Sequence, residues 1–168
     1  MAESAIRGIF YWHHSSLDSI IFSMPERKLS YQTLEHKSDS GFFIEAPSLQ
    51  RLYIDAASAL TDLLVKLDLI AEAEKKTLHV EAANKEQLLI KWLNEILFLF
   101  EKEKFLSKRI VFNHFDDKKI SATLFGDTYQ PVKHGHASEI KAATFHQLKL
   151  GMKSAPDHVF YAKVFLDL

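Results

Sequence analysis

The chain has 168 residues, 47% hydrophobic and 26% charged, a balance that suits one globular domain around one buried core. Its 21 Lys and Arg against 22 Asp and Glu leave a formal net charge of -1, so the overall basic field of many nucleic-acid binders is absent and any role at a nucleic acid is expected to be indirect. There is no cysteine, which excludes disulfides, thiolate zinc sites and thiol nucleophiles and leaves oxygen and imidazole as the metal donors.

Residues Met1 to Ser23 carry the apolar run Ile9-Phe10-Tyr11-Trp12, but His13-His14-Ser15-Ser16 follows at once, which breaks the continuous apolar region a secretory signal requires. A cytoplasmic protein is expected. Pro25-Glu26-Arg27-Lys28 is polar and turn-prone, so residues 1–28 read as an N-terminal extension and 29–168 as the domain. The extension is either a docked helix or arm, or lies before a natural start at Met24.

Strand-like runs over Leu29–Glu35 and Gly41–Glu45 flank a polar loop from His36 to Ser40. Pro47-Ser48 opens a helix whose Leu49, Leu52, Tyr53, Ala56, Leu60, Leu63, Leu64 and Leu67 recur at steps of three and four, giving one buried face. Thr77, His79 and Glu81 alternate with Leu78, Val80 and Ala82, as in a strand buried on one side. Asn84 and Gln87 form the pattern of a capping box ahead of a second helix, to about Phe100, whose apolar residues cover well over half the circumference. That segment falls short of a membrane span because Lys91, Asn94 and Glu95 interrupt it.

Arg109–Asp116 and Lys119–Gly126 read as strands meeting at the turn Asp116-Asp117-Lys118. Glu139–Leu150 and Val159–Leu166 supply two more, the last running into Asp167-Leu168. The order predicts an α+β fold: a single compact domain, one mostly antiparallel or mixed sheet, and two main helices packed on one of its faces.

Most polar clusters have plain readings. His134-Gly135-His136 reads as a solvated loop rather than a zinc site, and His13, His14, His79, His114, His146 and His158 are scattered. No GxSxG, GxGxxG or P-loop is present, and Asp116-Asp117 reads as turn chemistry. Asp39, flanked by serines and a glycine, and Asp167 could join the Leu168 carboxylate in an all-oxygen site for Mg²⁺ or Ca²⁺, but spacing alone does not bring such distant positions together.

Three stretches carry a family resemblance. His36-Lys37-Ser38-Asp39-Ser40-Gly41-Phe42 resembles the archease signature His-Thr-Ala-Asp followed by an aliphatic residue and Gly; here Lys37-Ser38 replaces Thr-Ala and Ser40 the aliphatic residue. Trp92-Leu93-Asn94-Glu95 resembles the family's helix motif. Glu139-Ile140-Lys141-Ala142-Ala143-Thr144-Phe145-His146 resembles its Glu-(Val/Ile)-Lys-Ala-x-Thr-(Tyr/Phe)-His strand, and the ending Val164-Phe165-Leu166-Asp167-Leu168 is similar too. The likeness runs from Leu29 to Leu168.

The resemblance implies a fold similar to the Hsp33 chaperone and a protein that does no covalent chemistry itself. It implies an activator of an RtcB-type RNA ligase, promoting guanylylation of the ligase histidine and multiple turnover in tRNA splicing or RNA repair. Asp39, Asp167 and Leu168 are then expected to bind a divalent ion, Ca²⁺ or Mg²⁺, with Lys141 on the partner or nucleotide surface. GTP and Mn²⁺ belong to the ligase, RNA is contacted through it, and the chain is monomeric or weakly self-associating, with no membrane. The rival readings are a metal-dependent hydrolase and a chaperone or modulator of an RNA-modifying enzyme.

Overall fold

Two polar caps set the helical layer. In the computed structural model, which describes residues 28–36, 39–156 and 158–168 and the main chain alone at 35, 36 and 39, Ser48 Oγ accepts the Arg51 amide at 3.1 Å and starts α1 (Leu49–Leu64). Asn84 Oδ1 accepts the Gln87 amide at 2.9 Å and starts α2 (Lys85–Glu103), as the spacing of those residues predicts. α1 stops three residues before Leu67, because Asp62 Oδ1 takes the Leu67 amide at 3.0 Å and the chain turns into a 3-10 segment at Leu67–Leu69. The readings of residues 1–27, His13 and His14 among them, lie outside the described residues.

Among the described residues there are seven strands, β1 (Tyr31–His36), β2 (Asp39–Ala46), β3 (Glu74–Glu81), β4 (Phe105–Phe115), β5 (Lys119–Thr128), β6 (Ala142–Met152) and β7 (Phe160–Asp167), with a short α3 (Pro131–His134) between β5 and β6. The α+β class and the antiparallel pairing are as expected. The number of sheets is not: the strands divide into two, ordered β1-β2-β7-β6 and β3-β5-β4. α1 packs on β2, β7 and β4, and α2 on β6, β3 and β4, so the helices form a middle layer between two sheets. The apolar arc of α2 is wide for this reason, since a helix covered on two sides buries more than one stripe.

Trp92 stands in that layer. Its side chain is fully buried, its Nε1 donates to the Tyr53 carbonyl at 3.1 Å, and its ring meets Phe112 edge-on at 5.3 Å. At the β4–β5 turn, Asp116 accepts the amides of Lys118 and Lys119 at 2.8 and 2.9 Å, the turn chemistry its sequence implied. No helix among the described residues is long and apolar enough to cross a membrane.

Two boundaries differ from the sequence reading in ways that matter for function. The loop expected from His36 to Ser40 is shorter, because β1 and β2 pair as far as His36 with Asp39, so Asp39 belongs to a strand. β6 begins at Ala142 rather than Glu139, so Lys141 precedes the strand.

Candidate functional site

The end of β7 gathers the resembling motifs. β2 and β7 run antiparallel with Ser40 opposite Leu166, and continuing that register by one residue sets the main chain of Asp39 beside that of Asp167. Gly41 lets the strands close there: a Cβ at this position would stand 2.4 Å from the Val164 carbonyl oxygen. On the other side of β7, Ala142 pairs with Asp167 and the Lys141 amide donates to the Asp167 carbonyl at 2.8 Å. Val164 and Leu166 are buried against the helices, whereas Asp167 and Leu168 are exposed.

Lys141 does more than flank the cluster. Its Nζ donates to the main-chain oxygen of Leu168 at 2.7 Å, which sets a cation against the strand end and beside an exposed carboxylate. The three sequence-predicted positions Asp167, Leu168 and Lys141 are thus in one place, and the backbone of Asp39 runs alongside. The carboxylate oxygens of Asp167 and Leu168 are hard donors with no sulfur or imidazole between them, chemistry that would suit a hard divalent cation rather than zinc, although the described residues gather no group of three His, Asp or Glu side chains.

Asn94 is the residue whose role the motif concealed. Its Nδ2 donates to the Ala143 carbonyl at 3.0 Å and its Oδ1 accepts the Ala143 amide at 2.8 Å. The side chain acts as a surrogate neighbouring strand for the free edge of β6, two residues from Lys141. An Asn in a helix interior is a weak helix former that competes for backbone bonds, and that was the available signal. Beyond it, an open groove of about 650 Å³ lies between α2 and β6, with Ile90, Lys91, Asn94, Phe98 and Phe145 among its walls. Phe98 and Phe145 are both more than half exposed.

The remaining histidines are elsewhere. His134 and His136 part company: His136 is exposed, but His134 is buried, contrary to the solvated loop expected of it. Its Nδ1 accepts the Gln130 amide at 2.9 Å, its ring stacks on Tyr129, and Nε2 stands 3.6 Å from Asp127, whose carboxyl the Lys133 ammonium holds below its ordinary range. This cluster fastens α3 to β5. His114 pairs with Asp116 at 2.7 Å in the opposite sheet, and His146 lies edge-on to Phe165.

Comparison with known proteins agrees with this geometry. Residues 31–168 match the sequence profile of the Archease protein family. The protein archease of Methanosarcina mazei is 27% identical over 131 residues, spanning 76% of this chain and 90% of the relative. That of Pyrobaculum calidifontis is 35% identical over 125 residues, 72% of this chain and 85% of the relative. The solution structure of Methanobacterium thermoautotrophicum protein 1598 superposes with a TM-score of 0.67 at 27% identity, covering 82% of this chain and 98% of its own. A Thermotoga maritima crystal structure described as an archease and possible chaperone gives a TM-score of 0.53 at 18% identity, with 82% and 96% covered, which is a likeness of fold.

Proposed function

The chain belongs to the archease family, and from that premise we propose that it is a non-enzymatic activator of an RtcB-type RNA ligase, using the β7 end as its working surface. The observation that carries the reading is the convergence of motifs more than a hundred residues apart: the Asp39 backbone, Asp167, Leu168 and Lys141 meet at one strand end.

Asp39, Asp167 and the carboxylate of Leu168 would hold an oxygen-seeking divalent ion, Ca²⁺ or Mg²⁺. Such an ion supplies positive charge for phosphate oxygens. The chain's own residues prepare the surface for that use. Asp167 is held at the exposed end of a strand whose preceding residues are core, so its main chain is fixed while its carboxylate faces solvent. Lys141 draws the Leu168 oxygen toward β6 and leaves a cation beside the acidic cluster, suited to a nucleotide phosphate or an acidic group of the ligase. The ligase keeps GTP, Mn²⁺ and the nucleophilic histidine, and promotion of its guanylylation restores it for further turnovers in tRNA splicing or RNA repair.

The test mixes this protein with a purified RtcB-type ligase, labelled GTP and RNA ends, with and without divalent ion. The expected result is faster labelling of the ligase at substoichiometric amounts of this chain, with no label on the chain itself. Label on this chain, or RNA cleavage by it alone, would overturn the reading in favour of an enzyme. Protection of a partner from aggregation with no change in guanylylation would favour a chaperone.

A further inference from the structure

The outer face of the four-stranded sheet carries a feature that folding does not explain. Phe42, Ile44, Ala162, Val164 and Leu166 turn inward and are buried against the helices, so the alternate residues of β2 and β7 turn outward. In register, Phe43, Lys163 and Lys149 form one outward row across β2, β7 and β6, and Glu45, Tyr161 and Gly151 form the next. Lys163 and Lys149 are therefore direct cross-strand neighbours. Like charges directly opposite each other destabilise a sheet, and among the described residues neither lysine has an ion-pair partner.

The rings beside them are set as a platform. Phe43 and Tyr161 are half-buried, with centroids 6.2 Å apart and planes inclined by 31°. Tyr161 lies over the main chain of Gly151, where an added Cβ would stand 2.8 Å from its hydroxyl oxygen and 2.9 Å from Cζ, so a side chain at 151 would displace the ring. Lys153 comes within 5.9 Å of the Phe43 ring while pairing with Glu45, and Lys163 Nζ is 4.8 Å above the Phe165 ring. Glu45, the carboxylate of these two rows, is paired with Lys153, which leaves Lys149 and Lys163 as their uncompensated charges among the described residues. The near-zero charge of the whole chain conceals this local excess.

We propose that this face binds a short single strand of nucleic acid, with bases stacked on Phe43 and Tyr161 and phosphates on Lys149 and Lys163. Partly exposed rings on the outer face of an antiparallel sheet offer a stacking surface for any unpaired base, and flanking lysines meet the backbone. A duplex hides its base faces and gains the lysine contacts alone. The platform lies on the strands that end at Asp167, so a strand bound along β2 and β7 leads to the candidate site. Within the activator reading the occupant is an RNA end, which makes contact with RNA direct as well as through the ligase.

The experiment needs no ligase, so its failure leaves the activator reading standing. Fluorescence anisotropy of the full chain with a labelled oligouridylate, its deoxy counterpart and a duplex of equal length should show saturable binding of the single strands, and at least tenfold weaker binding of the duplex. Lys149→Glu and Lys163→Glu, tested singly, should each weaken binding by about tenfold and lower the slope of log affinity against log salt by about 0.7. Each should also raise the melting temperature slightly, since an opposite-charge pair replaces a repulsive one. Phe43→Leu should weaken binding about tenfold with little change in the salt slope. The proposal is overturned if no single strand binds saturably, if the duplex binds as well, or if Lys149→Glu and Lys163→Glu bind as wild type. Loss of ligase stimulation in those variants with unchanged oligonucleotide binding would also overturn it, by assigning the face to a protein partner.

Discussion

Asn94 and Ala143 are joined by two reciprocal hydrogen bonds, side-chain amide to main-chain carbonyl at 3.0 Å and main-chain amide to side-chain oxygen at 2.8 Å. The pair ties the middle of α2 to the open edge of β6 just where that strand begins. Asn94→Ala should therefore cost about 1–3 kcal/mol, the usual penalty for leaving part-buried backbone groups unpaired. Asn94→Asp should be no better, because a carboxylate keeps the acceptor but sets an oxygen against the Ala143 carbonyl. Urea denaturation measures the cost, and hydrogen exchange of the Ala143 amide should quicken in both variants. An unchanged exchange rate would show that the clasp is not formed in solution.

Trp92 tests the middle layer. It is fully buried between the sheets and bonded to the Tyr53 carbonyl, so Trp92→Ala should lose about 3–5 kcal/mol by the large-to-small rule. The midpoint of urea unfolding should fall accordingly. A loss of ligase activation with an unchanged midpoint would show that this ring meets a partner rather than the core.

Asp62 gives a pH dependence whose sign follows from its partners. Burial raises its pKa, but the Leu67 amide, the Tyr31 hydroxyl at 2.7 Å and Lys66 together outweigh burial and hold it below the ordinary carboxylate value. A carboxyl whose folded pKa is depressed stabilises the fold above its unfolded pKa, and that stability is lost as pH falls through the folded value. The stability gap between wild type and Asp62→Asn should thus be full at pH 7, of the order of 1 kcal/mol, and should narrow as the solution is acidified below about pH 4. Denaturation curves from pH 7 to pH 2 measure it. A gap that does not change with pH would mean that the Asp62 charge contributes nothing to joining β1 to α1.

Much of this architecture was legible because local rules decide it. The start and buried face of α1, the Asn84 cap on the Gln87 amide and the Asp116 turn each depend on residues within a few positions of one another and formed as read, whereas Leu67, counted in the same period, falls beyond the end of the helix. The division into two sheets was not legible, because it rests on β2 pairing with β7, whose residues Ser40 and Leu166 are brought together by the core rather than by any turn. The candidate site depended on the same pairing: residue chemistry suggested Asp39 and Asp167, but only family resemblance joined them beforehand. His134 went the other way, since its loop looked polar while its ring found a stacking partner and a backbone amide. Phe98 and Phe145 show a further gap, because apolar residues in periodic elements give no sign of which will remain exposed until both elements are in place.

The sharpest prediction separates Asp167 from Lys141, which stand side by side at the strand end but carry opposite charge. Under the proposed cation site, Asp167→Ala should weaken divalent-ion binding, because it removes an oxygen donor. It should leave the protein without added ion about equally stable, or slightly more so, since an exposed charge among like charges is lost. Lys141→Met should do the reverse to ion binding: with the ammonium gone from the Leu168 oxygen, the ion gains a competitor-free ligand and less repulsion, and affinity should rise about two- to fivefold, the scale of exposed charge pairs. Ligase activation should nevertheless fall in both, because Asp167→Ala loses the ion and Lys141→Met loses the cation offered to the partner. A C-terminal extension should resemble Asp167→Ala, since an amide then replaces the Leu168 carboxylate. Isothermal titration with Ca²⁺ and Mg²⁺, melting curves with and without ion, and ligase guanylylation give the three readouts. If Lys141→Met weakens ion binding as Asp167→Ala does, the lysine orders the site rather than opposing the ion. If Asp167→Ala folds normally and activates fully, the strand end is not the working surface, and the metal part of the proposed function fails with it.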